Sequence, residues 1–177
     1  MASEEAKRRF REIVAPRLDD AFSLAFWISG SPSDAEDIVQ EAAIRALLAL
    51  EAVDIASPRA WWLRIVRNSA LTFMRRHRSN SLSYVGDLVD LEACEDVALS
   101  EPGADAEASL VATQDAQSVR QAVAKLPSPL RETLVMREVN EMSYREIATA
   151  MEAPIGTVMS RLARARAALA RTLRGAA

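Results

Sequence analysis

Residues 143–169 read "SYREIATAMEAPIGTVMSRLARARAAL", and this stretch decides the fold. Ser143 and Glu146 have the capping-box spacing that starts a helix. The first helix spans about two turns and is followed by a break at "EAPIG" and a longer second helix, a pattern that predicts a helix-turn-helix. In that motif the second helix enters the major groove of DNA. Glu152 stands at the turn, where a left-handed conformation costs about 1 kcal/mol for a residue other than glycine.

The second helix carries a basic face and an apolar face. From Thr157 to Ala177 the chain has five arginines and no acid. At 100° per residue, one side of this helix holds Val158, Leu162, Ala165, Leu169 and Leu173. The other side holds Arg161, Arg164, Arg171 and Arg174. A solvated amphipathic helix is the alternative interpretation, but the missing acids and the length of the preceding turn favour DNA binding.

The composition excludes several classes of protein. The 177 residues are 50% hydrophobic and 27% charged, with one cysteine, one histidine and five glycines. They offer no internal disulfide, too few soft ligands for a zinc or iron-sulfur site, and no glycine-rich phosphate loop. No apolar run approaches the roughly 20 residues that span a bilayer, and the N-terminus does not resemble a signal peptide. We therefore expect a soluble cytoplasmic protein with no cofactor, no metal and no membrane insertion.

Charge is distributed unevenly along the chain. Residues 1–78 hold 12 Lys/Arg and 11 Asp/Glu, residues 79–119 hold no base and nine acids, and residues 120–177 hold ten bases and five acids. The acidic middle also lacks a long apolar period, which is typical of a linker. The sequence therefore predicts two small domains, at 1–80 and 108–177, joined by an acidic flexible linker at 81–107.

Helix-start patterns recur on both sides of that linker. Ser33 with Glu36 has capping-box spacing before an apolar stripe. That stripe consists of Ile38, Ala42, Leu47 and Leu48. Ser57-Pro58 and Ser128-Pro129 each combine a capping residue with a first-turn proline. No stretch alternates like a strand, so the predicted fold class is all-α.

Residues 59–78, "RAWWLRIVRNSALTFMRRHR", form a basic helix rich in aromatic and aliphatic residues, and no acid occurs from Ser57 to its end. Tryptophans at helical spacing more often pack in a core than stack on bases. We assign Trp61 to the core on this ground. For Trp62 both interpretations stay open.

The chain resembles bacterial RNA polymerase sigma factors of the extracytoplasmic-function (ECF) group. The C-terminal stretch from "LPSPLRETLVMREV" through the helix-turn-helix is similar to their promoter-binding domain. "DAEDIVQEAAIRAL" is similar to their polymerase-binding segment, and "RAWWLRIVRNSAL" to the segment that reads and opens the minus-ten element. The three motifs follow the family's order and cover most of the chain.

The resemblance implies an alternative sigma factor, not an enzyme, with core RNA polymerase, promoter DNA and an anti-sigma factor as partners. It implies that Asp37, Gln40 and Glu41 bind the clamp coiled coil of the polymerase. Residues implied to act on the minus-ten element are Arg64, Arg67, Asn68, Arg75 and Arg76. Residues implied to bind the minus-thirty-five element are Thr157, Met159, Ser160, Arg161, Ala163, Arg164 and Arg166.

Some features depart from the family pattern or stay open. Glu152 replaces the usual glycine of the turn, and Met159 stands where the family often has a base. The base-reading positions offer few hydrogen bonds, so we expect loose sequence specificity, with apolar contacts to thymine methyl groups. The acidic linker is either a solvating tether or, as in the family, a segment in the RNA exit path. Two other functions remain possible: a duplex-DNA regulator acting without polymerase, and a sigma-like decoy that titrates an anti-sigma factor.

Overall fold

The computed structural model describes residues 3–51, 53–84 and 116–174, except for the side chains of residues 78–84. Within these residues the chain is helical and has no strand, which confirms the all-α fold class. The elements in chain order are α1 (Glu4–Ile13), a 3-10 turn (Ala15–Arg17), α2 (Leu18–Ser29), α3 (Pro32–Ala49), α4 (Pro58–Tyr84), α5 (helical residues 116–124), α6 (Ser128–Glu138), α7 (Tyr144–Met151) and α8 (Ile155–Arg174). Residues 81–84 of the predicted linker still belong to α4, and the rest of that linker lies outside the described residues.

The N-terminal helices, α1–α4, pack around a common apolar core. Its largest fully buried members are Trp62, Leu24, Ile38, Leu50 and Leu63. Gly30 ends α2 with φ 81°, a left-handed conformation that glycine adopts without steric cost, so the chain can reverse directly into α3. This reversal lets α2, α3 and α4 contact one another.

The start of α3 differs from the prediction. Ser31, not Ser33, is the N-cap: its hydroxyl accepts a hydrogen bond from the amide of Asp34 at 3.3 Å. Pro32 is the first helical residue, because its fixed φ already suits a helix and its missing N–H would have no partner there. Ser33 therefore lies inside the first turn.

The apolar stripe of α3 was predicted correctly except at Leu48. Ile38 and Ala42 are fully buried and Leu47 is half-buried against the core, whereas Leu48 is 65% exposed. The buried line continues through Ala46 and Leu50, because spacing of four residues follows the core-facing side of a straight helix.

The C-terminal helices, α5–α8, contain the predicted helix-turn-helix in α7 and α8. The Ser143 hydroxyl accepts a hydrogen bond from the Glu146 amide, while the Glu146 carboxylate accepts one from the Ser143 amide at 2.8 Å. This confirms the capping box. Glu152 ends α7 at φ 50°, ψ 44°, the left-handed conformation expected of the turn.

The predicted apolar face of α8 holds that helix on α6 and α7. Val158, Leu162 and Ala165 are buried, Leu169 is half-buried, and Leu173 near the helix end is exposed. The start of α6 is displaced by one residue from the prediction. Ser128 is its first residue rather than its cap, and its hydroxyl donates to the Glu132 carboxylate at 2.5 Å.

The two groups of helices pack against each other. Helix α4 contacts α7, and α2 contacts α6. Trp27 of α2 lines an apolar groove with Val123, Leu134 and Leu169 of the C-terminal helices. The surfaces predicted to bind DNA therefore lie on two groups of helices that are in contact with each other.

Candidate nucleic-acid interface

The exposed side of α8 presents the residues predicted to read bases. Met159 is 54% exposed, and Ser160 and Ala163 are also exposed. Thr157 is half-buried near the start of the helix. Apart from its chain neighbours and the nearby backbone of its own helix, no heavy atom lies within 4 Å of where a Cβ of Gly156 would stand, so this end of the helix is open for the approach of a partner. The face combines one apolar side chain with small side chains, which suits close contact with a groove.

Three predicted phosphate-binding arginines of α8 lie in different settings. Arg164 is exposed, and its guanidinium donates to the Ser160 carbonyl at 3.4 Å along its own helix. Arg161 is half-buried. Arg166 pairs with Glu138 of α6 at 2.6 Å, and this hydrogen bond, with the carboxylate charge, raises the pKa of Arg166 above its ordinary value. Of the three arginines, Arg164 is therefore the most accessible to a phosphate.

Two of the predicted minus-ten residues are held by acids from the other half of the molecule. Arg64 donates to Glu152 at 3.1 Å, and Arg67 donates to Glu132 at 2.6 Å. Asn68 is exposed, and its side-chain oxygen accepts a hydrogen bond from Arg67 at 3.4 Å.

The last two predicted minus-ten residues lie further along α4. Arg75 is exposed and donates to the Leu71 carbonyl at 3.1 Å. Arg76 points toward α3, where it lies 3.9 Å from Glu41. The five residues therefore do not share one free surface in this arrangement.

Both tryptophans of α4 belong to the core. Trp61 is 7% exposed and Trp62 is fully buried. The Trp62 indole donates to the Arg17 carbonyl at 3.1 Å, which satisfies its polar atom. Trp62 is therefore a structural residue in this arrangement, since a platform for base stacking would have to be exposed.

The predicted polymerase-binding residues form an outward face of α3. Asp37 and Gln40 are exposed, and Glu41 is half-buried and paired with Arg45. Ile44, one turn beyond Gln40, is 63% exposed. This face offers both charge and apolar surface to another helix.

Comparison with known proteins identifies the family. A model of sigma-70 region 2 matches residues 13–80, and a model of sigma-70 region 4 matches residues 116–169. The ECF RNA polymerase sigma factor SigW of Bacillus subtilis (strain 168) is 31% identical over 170 residues, covering 93% of this chain and 89% of that protein. The chain belongs to the ECF RNA polymerase sigma factors. It is an alternative sigma factor, which directs core RNA polymerase to promoters.

Further relatives agree with this assignment. The ECF RNA polymerase sigma-E factor of Escherichia coli (strain K12) is 34% identical over 137 residues, covering 77% of this sigma factor and 72% of the relative. Sigma factor RpoE of Bartonella quintana, solved with the anti-sigma factor NepR, has a TM-score of 0.73 at 23% identity, covering 94% and 98% of the two chains. CnrH, solved with the cytosolic domain of CnrY, has a TM-score of 0.68 at 24% identity, covering 99% and 96%. These two structures show that the fold is shared.

Several residues that join the two halves of the sigma factor are not recognisable in the sequence. Arg59 of α4 donates to Asp20 at 3.0 Å and to the carbonyl of Asn140. The Asn140 amide in turn donates to the Asp20 carbonyl at 2.9 Å. Arg59 lies only two residues before Trp61, inside a motif already identified, but nothing in the local pattern distinguishes it from the other arginines.

In residues 3–51, 53–84 and 116–174, no helix is long and apolar enough to cross a bilayer. No cluster of His, Cys, Asp or Glu in the same part of the sigma factor could hold a metal ion.

Proposed function

We propose that three parts of this sigma factor have separate functions. Residues 1–80 form a domain that binds core polymerase through Asp37, Gln40 and Glu41, and that reads and opens the minus-ten element through α4. Residues 108–177 form a domain whose α8 binds the minus-thirty-five element. Residues 81–107, of which the first four complete α4, connect the two domains as the acidic linker.

The observation that carries this proposal is the exposed face of α8 directly after the turn. Met159, Ser160 and Ala163 lie there with Arg164 beside them. Because small and apolar side chains offer few hydrogen bonds, we expect contacts with thymine methyl groups to supply the direct readout at this face. The arginines fix the helix on the phosphates and contribute little sequence preference.

Helix α4 is proposed to act on separated strands. Unstacking a base costs a few kcal/mol, which contacts to the exposed base and to the single-stranded backbone must offset. The Asn68 amide can both donate to and accept from a base edge, and it is exposed on α4. Strand opening makes and breaks no covalent bond, so we propose that the protein is not an enzyme. We also propose that it uses no cofactor and acts in the cytoplasm.

An anti-sigma factor is the third proposed partner. RpoE of Bartonella quintana was solved with the anti-sigma factor NepR. CnrH was solved with the cytosolic domain of CnrY. The likeness of fold supports an equivalent partner for this chain.

Run-off transcription with core polymerase from the source organism tests the proposal. A variant with Asp37→Ala, Gln40→Ala and Glu41→Ala should stay helical, lose co-elution with core polymerase and lose transcription. Glu4→Ala with Glu5→Ala is the matched control, because it also removes two acids, both paired within α1. Full co-elution of the triple variant with core polymerase would contradict the assignment of this face of α3 to polymerase binding. If the wild-type protein supports no transcription from any template, the result would favour a sigma-like decoy that titrates an anti-sigma factor.

A further inference from the structure

The methionines of the described residues differ sharply in accessibility. Met136 and Met142 are fully buried, Met151 is 7% exposed, and Met74 is half-buried. Met159 is 54% exposed. A peroxide oxidises a thioether only where it can reach the sulfur atom, so Met159 is the methionine of this part of the chain most open to oxidation.

Met159 lies in a row of apolar side chains on the exposed side of α8. Ile155, one turn before it, is 45% exposed, and Ala163, one turn after it, is also exposed. Residues four positions apart share one face of a helix. The Ser160 hydroxyl is bound to its own helix, since it donates to the Thr157 carbonyl at 3.0 Å. The longest side chain among the proposed base-reading residues is therefore that of Met159.

We propose that Met159 is a site of reversible oxidation that weakens recognition of the minus-thirty-five element. This inference rests on the proposed role of α8 in binding that element. In the reduced protein the thioether makes apolar contact with a thymine methyl group. The sulfoxide is polar, so its oxygen must lose bound water before it can lie against a methyl group.

The oxidation is a transfer of one oxygen atom from a hydroperoxide. The sulfur lone pair of Met159 attacks one oxygen of hydrogen peroxide, and the O–O bond breaks as the S–O bond forms. The proton of the transferred hydroxyl passes to the departing hydroxide, which leaves as water. Sulfur is oxidised and the peroxide is reduced. Methionine sulfoxide reductases A and B reverse the change, because they release the sulfoxide oxygen as water while two thiols become a disulfide.

Oxidation should change sequence preference more than overall attachment to DNA. Phosphate contacts supply the sequence-independent affinity, and a neutral thioether makes none of them. Arg164, which is exposed on the same helix, keeps its charge after oxidation. Removing about one methyl group from water changes an equilibrium constant roughly fourfold. We therefore expect oxidation to weaken binding by about that factor where a thymine methyl is present, and to leave binding nearly unchanged where it is absent.

Promoter binding by reconstituted holoenzyme tests the proposal. The full chain, in a Cys94→Ser background, is treated with hydrogen peroxide, freed of it, and combined with untreated core polymerase. Two fluorescein-labelled promoters are compared. One is a promoter that the wild-type holoenzyme transcribes, and the other has deoxyuridine for every thymidine of its minus-thirty-five element. Deoxyuridine lacks only the methyl group. Met159→Leu is the matched control, because leucine is apolar and carries no sulfur to oxidise.

Peptide mass spectrometry should find an added oxygen on Met159 before Met136, Met142 or Met151 gains one, while the melting temperature of the protein stays unchanged. The untreated protein should prefer the thymidine promoter about fourfold, and peroxide treatment should abolish that preference. Met159→Leu should keep the preference after treatment. The two reductases should restore it to the treated wild type.

The possible contrary results are distinguishable. If the untreated protein binds both promoters equally, the thymine contact proposed for α8 is wrong, and the oxidation of Met159 has no contact to weaken. If the untreated protein prefers thymidine and full oxidation of Met159 leaves that preference intact, the role of oxidation alone is overturned. An equal loss of preference in treated Met159→Leu would overturn it as well. Oxidation of Met136 or Met142 as early as Met159 would contradict the selectivity of the site.

Discussion

The Arg67 guanidinium lies 2.6 Å from the carboxylate of Glu132, across the boundary between the N-terminal and C-terminal helices. The two residues are separated by 65 positions in the chain. Glu132 is buried, with 2% of its side chain exposed, and Arg67 is largely buried, with 19% exposed. The pair is one of the contacts that join the N-terminal helices to the C-terminal helices.

A double-mutant cycle should show that Arg67 and Glu132 act as a unit. Arg67→Gln and Glu132→Gln should each lower the free energy of urea unfolding, because each leaves a buried or largely buried charge without its partner. The double variant should lower it no further than either single change, with a coupling free energy of about 1–3 kcal/mol. Additive effects would show that the two residues act independently.

Glu152→Gly should separate backbone strain from the ionic contact. Relieving the left-handed conformation should make the glycine variant about 1 kcal/mol more stable than a variant that keeps it, while both lose the contact to Arg64. Glu152→Ala is the matched control, since it removes the carboxylate but keeps the strained φ. Thermal unfolding of the two variants and of the wild type gives the comparison. A glycine variant less stable than the alanine variant would contradict the backbone strain assigned to the left-handed conformation of Glu152.

Stability at acid pH should depend on the capping box of α7. Burial raises the pKa of Glu146, but hydrogen bonds from the Ser143 amide and hydroxyl, with the charge of Arg59, outweigh burial and bring the pKa below its ordinary value of 4.5. The stabilisation is therefore fully present above about pH 4.5 and is lost as pH falls through the lowered folded-state pKa.

Glu146→Gln removes this titration. Its destabilisation, about 1 kcal/mol at pH 7, should shrink at pH 3, because the wild-type carboxylate takes up a proton as the pH falls through its lowered pKa. Urea unfolding of both proteins at the two pH values gives the comparison. An equal difference at pH 7 and pH 3 would refute the charged cap.

Trp62→Phe should affect folding without affecting DNA. The change removes the hydrogen bond to the Arg17 carbonyl and leaves space in the core, for a loss of about 2 kcal/mol in urea unfolding. The folded variant should bind a fluorescein-labelled random single-stranded DNA 20-mer with wild-type affinity. A selective loss of binding at unchanged stability would return Trp62 to the DNA surface.

The features that were predicted correctly from the sequence are those that depend on residues close together in the chain. The capping box of Ser143 and Glu146, the left-handed Glu152 and the buried Val158 each follow from spacing within one or two turns. The error at α3 is also local. Two serines lie two positions apart, and Pro32 decides between them because it fits the first helical position.

The remaining features depend on how distant helices pack. Nothing near Glu132 in the chain indicates that it is buried, because its partner Arg67 comes from α4. Arg59 and Asn140 meet for the same reason, across 81 positions. Trp62 could not be assigned from α4 alone, since its hydrogen-bond partner lies in the turn before α2.

The opening of promoter DNA by α4 is tested most directly at Asn68, which is exposed and so has no core role to lose. The measurement is the ratio of Asn68→Ala to wild-type run-off transcription on a promoter that the wild-type holoenzyme uses, compared with the same promoter mismatched across the minus-ten region. We predict a low ratio on the duplex and a partly restored ratio on the mismatched template, because mismatches remove the melting cost but not the lost base contact. An equal ratio on both templates, with an unchanged melting temperature of the protein, would contradict a role for α4 in opening.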